Sequence, residues 1–160
     1  MDQKKISWVL LAAGTIAAVA GVFLFFVYGT AVALSCRDSF PEVAFLFWPG
    51  LIWLWVIGLT YLAAMYHYFR IVLNIGKDRS FTPENARGLM RIAFWMCLAG
   101  ALWLLGEILP RLVWGIVLGA GWLALLLAAA ASFAMGLLAW ALGKLLARAV
   151  QIKEENDLTV

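Results

Sequence analysis

The chain has 160 residues, of which 66% are hydrophobic and 13% charged; an average soluble domain is roughly half apolar and about a quarter charged. A soluble domain of this size buries only about 70% of its unfolded surface, so with a mean hydropathy of +0.96 the solvent must include lipid. A soluble enzyme, a disordered chain and a disulfide scaffold are thereby excluded, and the net charge of +3, with no basic domain to carry it, is no sign of direct nucleic-acid binding.

A bilayer core about 30 Å thick takes roughly 20 mostly apolar residues in a helix. The first long apolar stretch, from Ile6 to Ser35, predicts a helix over about residues 6–29. Lys4-Lys5 before it and Ala31-Val32-Ala33 near its end imitate a cleaved signal peptide, but the apolar run is too long for one. Ala33 also stands where a lipoprotein signal ahead of Cys36 prefers leucine, so a retained helix is expected. On it Gly14, Ala17, Ala18 and Gly21 lie at small-x-x-x-small spacing, which permits close helix approach within the bundle or between copies of the chain. Gly29 to Glu42 would follow as an outer connection or a lid.

The second stretch, Val43 to Phe69, predicts a helix over about 43–73. Near its inner end lie Tyr61 and Tyr66-His67-Tyr68. His67, the one histidine, fits either a proton relay or an interfacial aromatic belt. A single histidine cannot build a haem pair or a zinc triad within one chain. In the loop from Asn74 to Arg87, Gly76 is placed to end the second helix. Thr82 is placed to cap the third, with Pro83 at its first position and Glu84 in its first turn.

The third stretch has only 15 uncharged residues, Ile92 to Gly106, or about 22 Å of helix. A helix over about 83–109 therefore needs Arg91 to snorkel and Glu107 to sit near the outer interface or face protein. Glu107 is either a functional intramembrane carboxylate or the i,i+4 partner of Arg111. Cys97 in this helix reads as a small packing residue, and Cys36, at another depth, as a free thiol or a link between chains. Of the nine tryptophans, Trp8, Trp48 and Trp114 fit interfacial belts. Trp53, Trp55, Trp95, Trp103, Trp122 and Trp140 lie deeper, where they fill the bundle or line a cavity.

The fourth stretch, Leu112 to Gly143, predicts a bend around Gly115–Gly121 within a helix over about 114–155. Gly115 and Gly119 form another small-residue pair. Leu145, Ala149 and Ile152 continue an apolar stripe beyond the membrane.

These elements predict an all-α integral membrane protein, an antiparallel four-helix bundle formed by one domain over residues 1–160. Lys4, Lys5, Arg70, Lys77, Arg79, Arg87, Arg91, Lys144, Arg148 and Lys153 fall on one side, and only Arg37 and Arg111 on the other. Positive residues stay inside, so both termini are expected in the cytoplasm, as in a multi-pass protein of a bacterial inner membrane.

Arg87 and Arg91 share a helix face and repel unless something negative lies between them. Glu84 can serve Arg87 and lipid phosphate can serve Arg91. The tail from Lys153 to Val160 brings Glu154, Glu155 and Asp157, with Leu158 and Val160 as its apolar anchors; it either docks on the loop or stays solvated. The candidate cytosolic site is therefore Arg79, Thr82, Glu84, Asn85, Arg87, Arg91, Glu154, Glu155 and Asp157, with His67 and Glu107 as candidate intramembrane polar residues.

The run Arg79-Ser-Phe-Thr-Pro-Glu-Asn-Ala-Arg87, the following Arg91-Ile92 and the ending Glu155-Asn-Asp-Leu-Thr-Val160 resemble an uncharacterised bacterial family of four-helix membrane proteins. Its loops read (P/S)-F-(T/S)-x-E-N and its chains end near E-x-D-L-T-V. Gly88 departs from relatives that continue with arginine. Members are often encoded beside a small Cro-type helix-turn-helix regulator, and the resemblance implies such a regulator as a partner but no catalytic residues.

No acid–base pair, metal set or cofactor motif is visible, so neither an enzyme nor a cofactor is expected. The first functional reading is a binding and regulatory protein whose cytosolic loop and acidic tail hold a small soluble partner. The alternative is a small oligomeric transporter or channel for a lipophilic solute. The lipid bilayer is the surrounding partner, and a second copy of the chain is a further candidate.

Overall fold

Lipid offers no partner to a peptide group, so a spanning chain must satisfy its backbone internally. All elements in the computed structural model, which describes residues 3–116 and 121–157, are accordingly helical. They are α1 (Gln3–Val22), a π-helical turn (Phe23–Tyr28), α2 (Gly29–Ser39), a 3-10 segment (Pro41–Leu46), α3 (Phe47–Gly76), α4 (Pro83–Trp114) and α5 (Gly121–Asp157). Four spans long and apolar enough to cross a membrane result: Gln3–Ser39, Pro41–Gly76, Pro83–Trp114 and Gly121–Asn156. Both described ends lie on one face, where Ser80 Oγ bonds Gln3 Oε1 at 2.9 Å and α5 runs past the start of α4.

The expected outer connection at 29–42 is instead mostly helix. The Gly29 N–H bonds the Leu24 carbonyl five residues back, which lets the helix widen for a turn and continue to Ser39 rather than stop near residue 29. A π turn advances the register, so the consecutive rings of Phe25 and Phe26 both reach α3, on either side of Gly58. Phe25 meets Tyr61 and Trp103, with ring centroids at 6.0 and 6.4 Å, and Phe26 meets Trp55 at 6.5 Å. The end of the third span also differs from expectation, while the bend falls within the expected Gly115–Gly121. α4 continues through Pro110 to Trp114, so Trp114 ends this helix rather than starting the next. The break falls at Gly115, whose φ of 67° is strained for any side chain. Gly119 lies outside the described residues.

The small residues of α1 serve α3. Gly14 and Gly21 are buried beneath the rings of Tyr68 and Tyr61, which occupy the space a Cβ would take. The two phenols donate to the Leu10 and Ala17 carbonyls, both at 2.9 Å, and Ser7 Oγ donates to the Val72 carbonyl at 2.9 Å. This stripe is therefore used within the bundle.

α4 and α5 join by another device. The buried residues of α4 include Ala86, Ala93, Gly100 and Glu107, and those of α5 include Ala129, Gly136, Gly143 and Val150. Both series step by seven, the repeat of a left-handed helix pair, and small side chains let the backbones close up. A Cβ on Gly136 would stand 3.2 Å from the Ala93 carbonyl, and one on Gly143 3.3 Å from that of Ala86. Cys97 packs here, its Sγ 2.6 Å from the Cβ position of Gly136; Cys36 is exposed and both thiols are free. Trp53 Nε1 ties α3 to α4 through the Leu102 carbonyl at 3.0 Å.

Packing thus runs α1–α3–α4–α5. Among the described residues α1 and α5 do not pack on each other. A mostly apolar crevice of about 340 Å³ separates them, with Ala17, Gly21 and Phe25 on one wall, Ser132 and Met135 on the other, and Tyr61 and Met96 behind.

Candidate functional site

The tight turn after α3 builds the site. Lys77 and Asp78 close it, Asp78 with a φ of 57°, and Gly76 is the last residue of α3. Thr82 caps α4, its hydroxyl accepting the Asn85 N–H at 3.4 Å, and Pro83 occupies the first helical position, as the spacing predicts. Asn85 is only 1% exposed. Its Oδ1 accepts Asn74 Nδ2 at 2.7 Å, and its Nδ2 donates to the Arg79 and Ser80 carbonyls at 2.8 and 3.0 Å. One carboxamide thereby fixes the end of α3, the turn and the start of α4 together.

Beside this lock is a cavity of about 180 Å³. α3 lines it with His67, Arg70, Ile71 and Asn74, and α4 with Glu84, Asn85, Arg87, Gly88 and Arg91. Gly88 makes room for close approach, since a Cβ there would meet Ile71 Cγ1 at 3.0 Å. Glu84 pairs with Arg87 at 3.2 Å. Among the described residues no carboxylate pairs with Arg70 or Arg91, so the cavity carries an excess of positive charge. Tyr66, 58% exposed, sets its ring edge-on to His67 at 5.2 Å.

The structure brings Glu84, Asn85, Arg87 and Arg91 together with His67, which thus joins the basic cluster, and adds Arg70 and Asn74. Thr82 acts through the cap, and Arg79 contributes a backbone carbonyl rather than its guanidinium. Glu154 and Glu155 are exposed on α5, where Glu155 accepts Gln151 Nε2 at 3.0 Å. Asp157 is the last residue of α5; Leu158 and Val160 lie outside the described residues.

Glu107 sits at the opposite face, 7% exposed. Arg111 Nη2 donates to its Oε1 at 2.9 Å, the expected i,i+4 pair. Among the described residues Oε2 is buried without a partner. Removing one member of a buried pair strands the other. Arg111→Ala is expected to cost about 1–2 kcal/mol, discounted because Arg111 is half exposed. Glu107→Leu in the same chain should restore at least half of that loss, as measured by unfolding in mixed micelles.

The four spans and the polar lock at one end define a polytopic helical membrane protein. Residues 31–160 match the model of a family described as "Protein of unknown function (DUF2975)", and the chain belongs to that family. It is 29% identical over 130 residues, 81% of each chain, to the "Uncharacterized membrane protein YoaS" of Bacillus subtilis (strain 168). No solved structure matches the chain. α1 and the π turn precede the matched region.

Proposed function

We propose that this is a binding and regulatory protein of a bacterial cytoplasmic membrane, whose cytosolic loop and acidic tail hold a small soluble partner. The ten-to-two distribution of Lys and Arg supports placing the terminal face in the cytoplasm. The observation that carries the reading is the extension of α5. Gly143 lies against Ala86, near the start of α4, so α5 from about Ala147 to Asp157 continues beyond it, roughly 16 Å of helix. This extension buries Val150 but exposes Ile152, 59% accessible, beside Glu154 and Glu155, at the same end of the bundle as the basic loop. An apolar anchor flanked by charges is what a small docking surface requires. The resemblance of the loop and tail motifs to proteins encoded beside helix-turn-helix regulators supports a regulator of that class as the partner.

Crosslinking in native membranes, with and without Lys153–Val160, tests this. A soluble DNA-binding protein captured by the full chain and lost from the truncated one is the expected result. Identical captures without any soluble protein would overturn the reading. The crevice between α1 and α5 favours a second reading, movement of a lipophilic solute, and flux into vesicles containing the protein distinguishes the two.

A further inference from the structure

We infer that the cavity between the end of α3 and the start of α4 binds the phosphate group of an anionic phospholipid. This stands independently of any soluble partner. Arg70, Arg87 and Arg91 line one small cavity, and among the described residues only Arg87 has a carboxylate partner, Glu84. Guanidinium forks match phosphate oxygens two at a time, and basic pockets between membrane helices bind lipid head groups. The lining is also built rather than loose, because the fully buried Asn85 holds Asn74 and the turn that closes the cavity.

What lies beneath the cavity argues that the phosphate arrives on a lipid. Residues three and four apart share a helix face. One turn deeper than Arg91 on α4 are Phe94, 61% exposed, and Trp95, half-buried; one turn deeper than His67 on α3 are Ala63 and Ala64. Ala64 is buried, but the exposed Phe94, the half-buried Trp95 and the half-buried Ala63 present an apolar surface directly below the basic cluster, along which an acyl chain can lie. Tyr66, edge-on to His67, is the kind of side chain that settles at the level of the head groups.

The test uses the full chain, purified and delipidated in detergent, titrated with phosphatidylglycerol or phosphatidylcholine and read by native mass spectrometry. One phosphatidylglycerol should be retained at a roughly tenfold lower lipid concentration than phosphatidylcholine, since each basic group near a head group contributes several-fold. Arg70→Gln with Arg91→Gln should abolish that preference, while Arg148→Gln, on α5 outside the cavity, should leave it intact. Arg70 and Arg91 are exposed, and unchanged circular dichroism confirms that the variant is folded. Equal retention of the two lipids, or a preference that survives the double substitution, overturns the proposal. Inorganic phosphate is added in a further arm. Failure of millimolar phosphate to displace the lipid supports a lipid ligand, and displacement at micromolar phosphate overturns it in favour of a free anion.

Discussion

Asn85→Leu is expected to destabilise the protein by about 2–4 kcal/mol. The leucine fills similar space but strands the Asn74 amide and the Arg79 and Ser80 carbonyls, which Asn85 now satisfies. A buried polar group left without a partner costs about 1–3 kcal/mol, whereas a matched bond contributes only about 1. The loss should be local first, because the same side chain holds both helix ends to the turn. Limited trypsin digestion should therefore cut the variant at Lys77 and Arg79 well before the parent chain. Asn85→Asp keeps the acceptor for Asn74 but cannot donate to the two carbonyls, and should fall between. A leucine variant with parental stability and parental cleavage would show that the turn is held by something else.

Gly136→Leu should be at least as damaging, at the centre of the α4–α5 seam. A Cβ at this position would stand 2.6 Å from Cys97 Sγ and 3.2 Å from both the Ala93 carbonyl and the Cys97 nitrogen. Sulfur can turn aside, but backbone cannot, so the two helices must separate. Overpacking of this kind costs about 1–3 kcal/mol, occasionally more, and here it also breaks the register of the neighbouring sevenfold steps. Unfolding in a denaturing detergent series gives the measurement. Gly136→Ala should lose less, and Cys97→Ala should recover part of the alanine loss but little of the leucine loss. Full recovery of the leucine variant by Cys97→Ala would mean that sulfur alone, not the Ala93 backbone, sets the spacing.

What could be read from the residues was whatever depends on local spacing. The four spans follow from apolar length, the Thr82 cap from its place ahead of Pro83, and the Glu107–Arg111 pair from an interval of four. The α4–α5 seam was not legible, for a physical reason. In lipid the outward face of a helix is as apolar as the inward one, so burial leaves no amphipathic contrast to detect. Ala129, Gly136 and Gly143 vanish in a run of similar residues. The π turn was hidden for the same reason, since nothing in Phe23–Tyr28 distinguishes a wide turn from a normal one. The basic pocket was half visible. Arg87 and Arg91 drew attention as like charges on one face, but His67 read as an isolated intramembrane residue, and Arg70 and Asn74 only as loop surroundings. A matching signal existed: 67, 71 and 74 before the turn repeat the spacing of 84, 88 and 91 after it, so the antiparallel pair brings both rows together.

The linear packing order has a consequence for how the molecule is made. α1 meets α3, α3 meets α4 and α4 meets α5, while the first and last spans do not meet among the described residues. Position in space therefore follows the order of synthesis. Each span after the first packs on the one that precedes it in the chain, so its partner is already made when it is synthesised. Long-range pairing, which slows folding, is thereby avoided between the first and last spans, whose flanks face each other across the crevice instead.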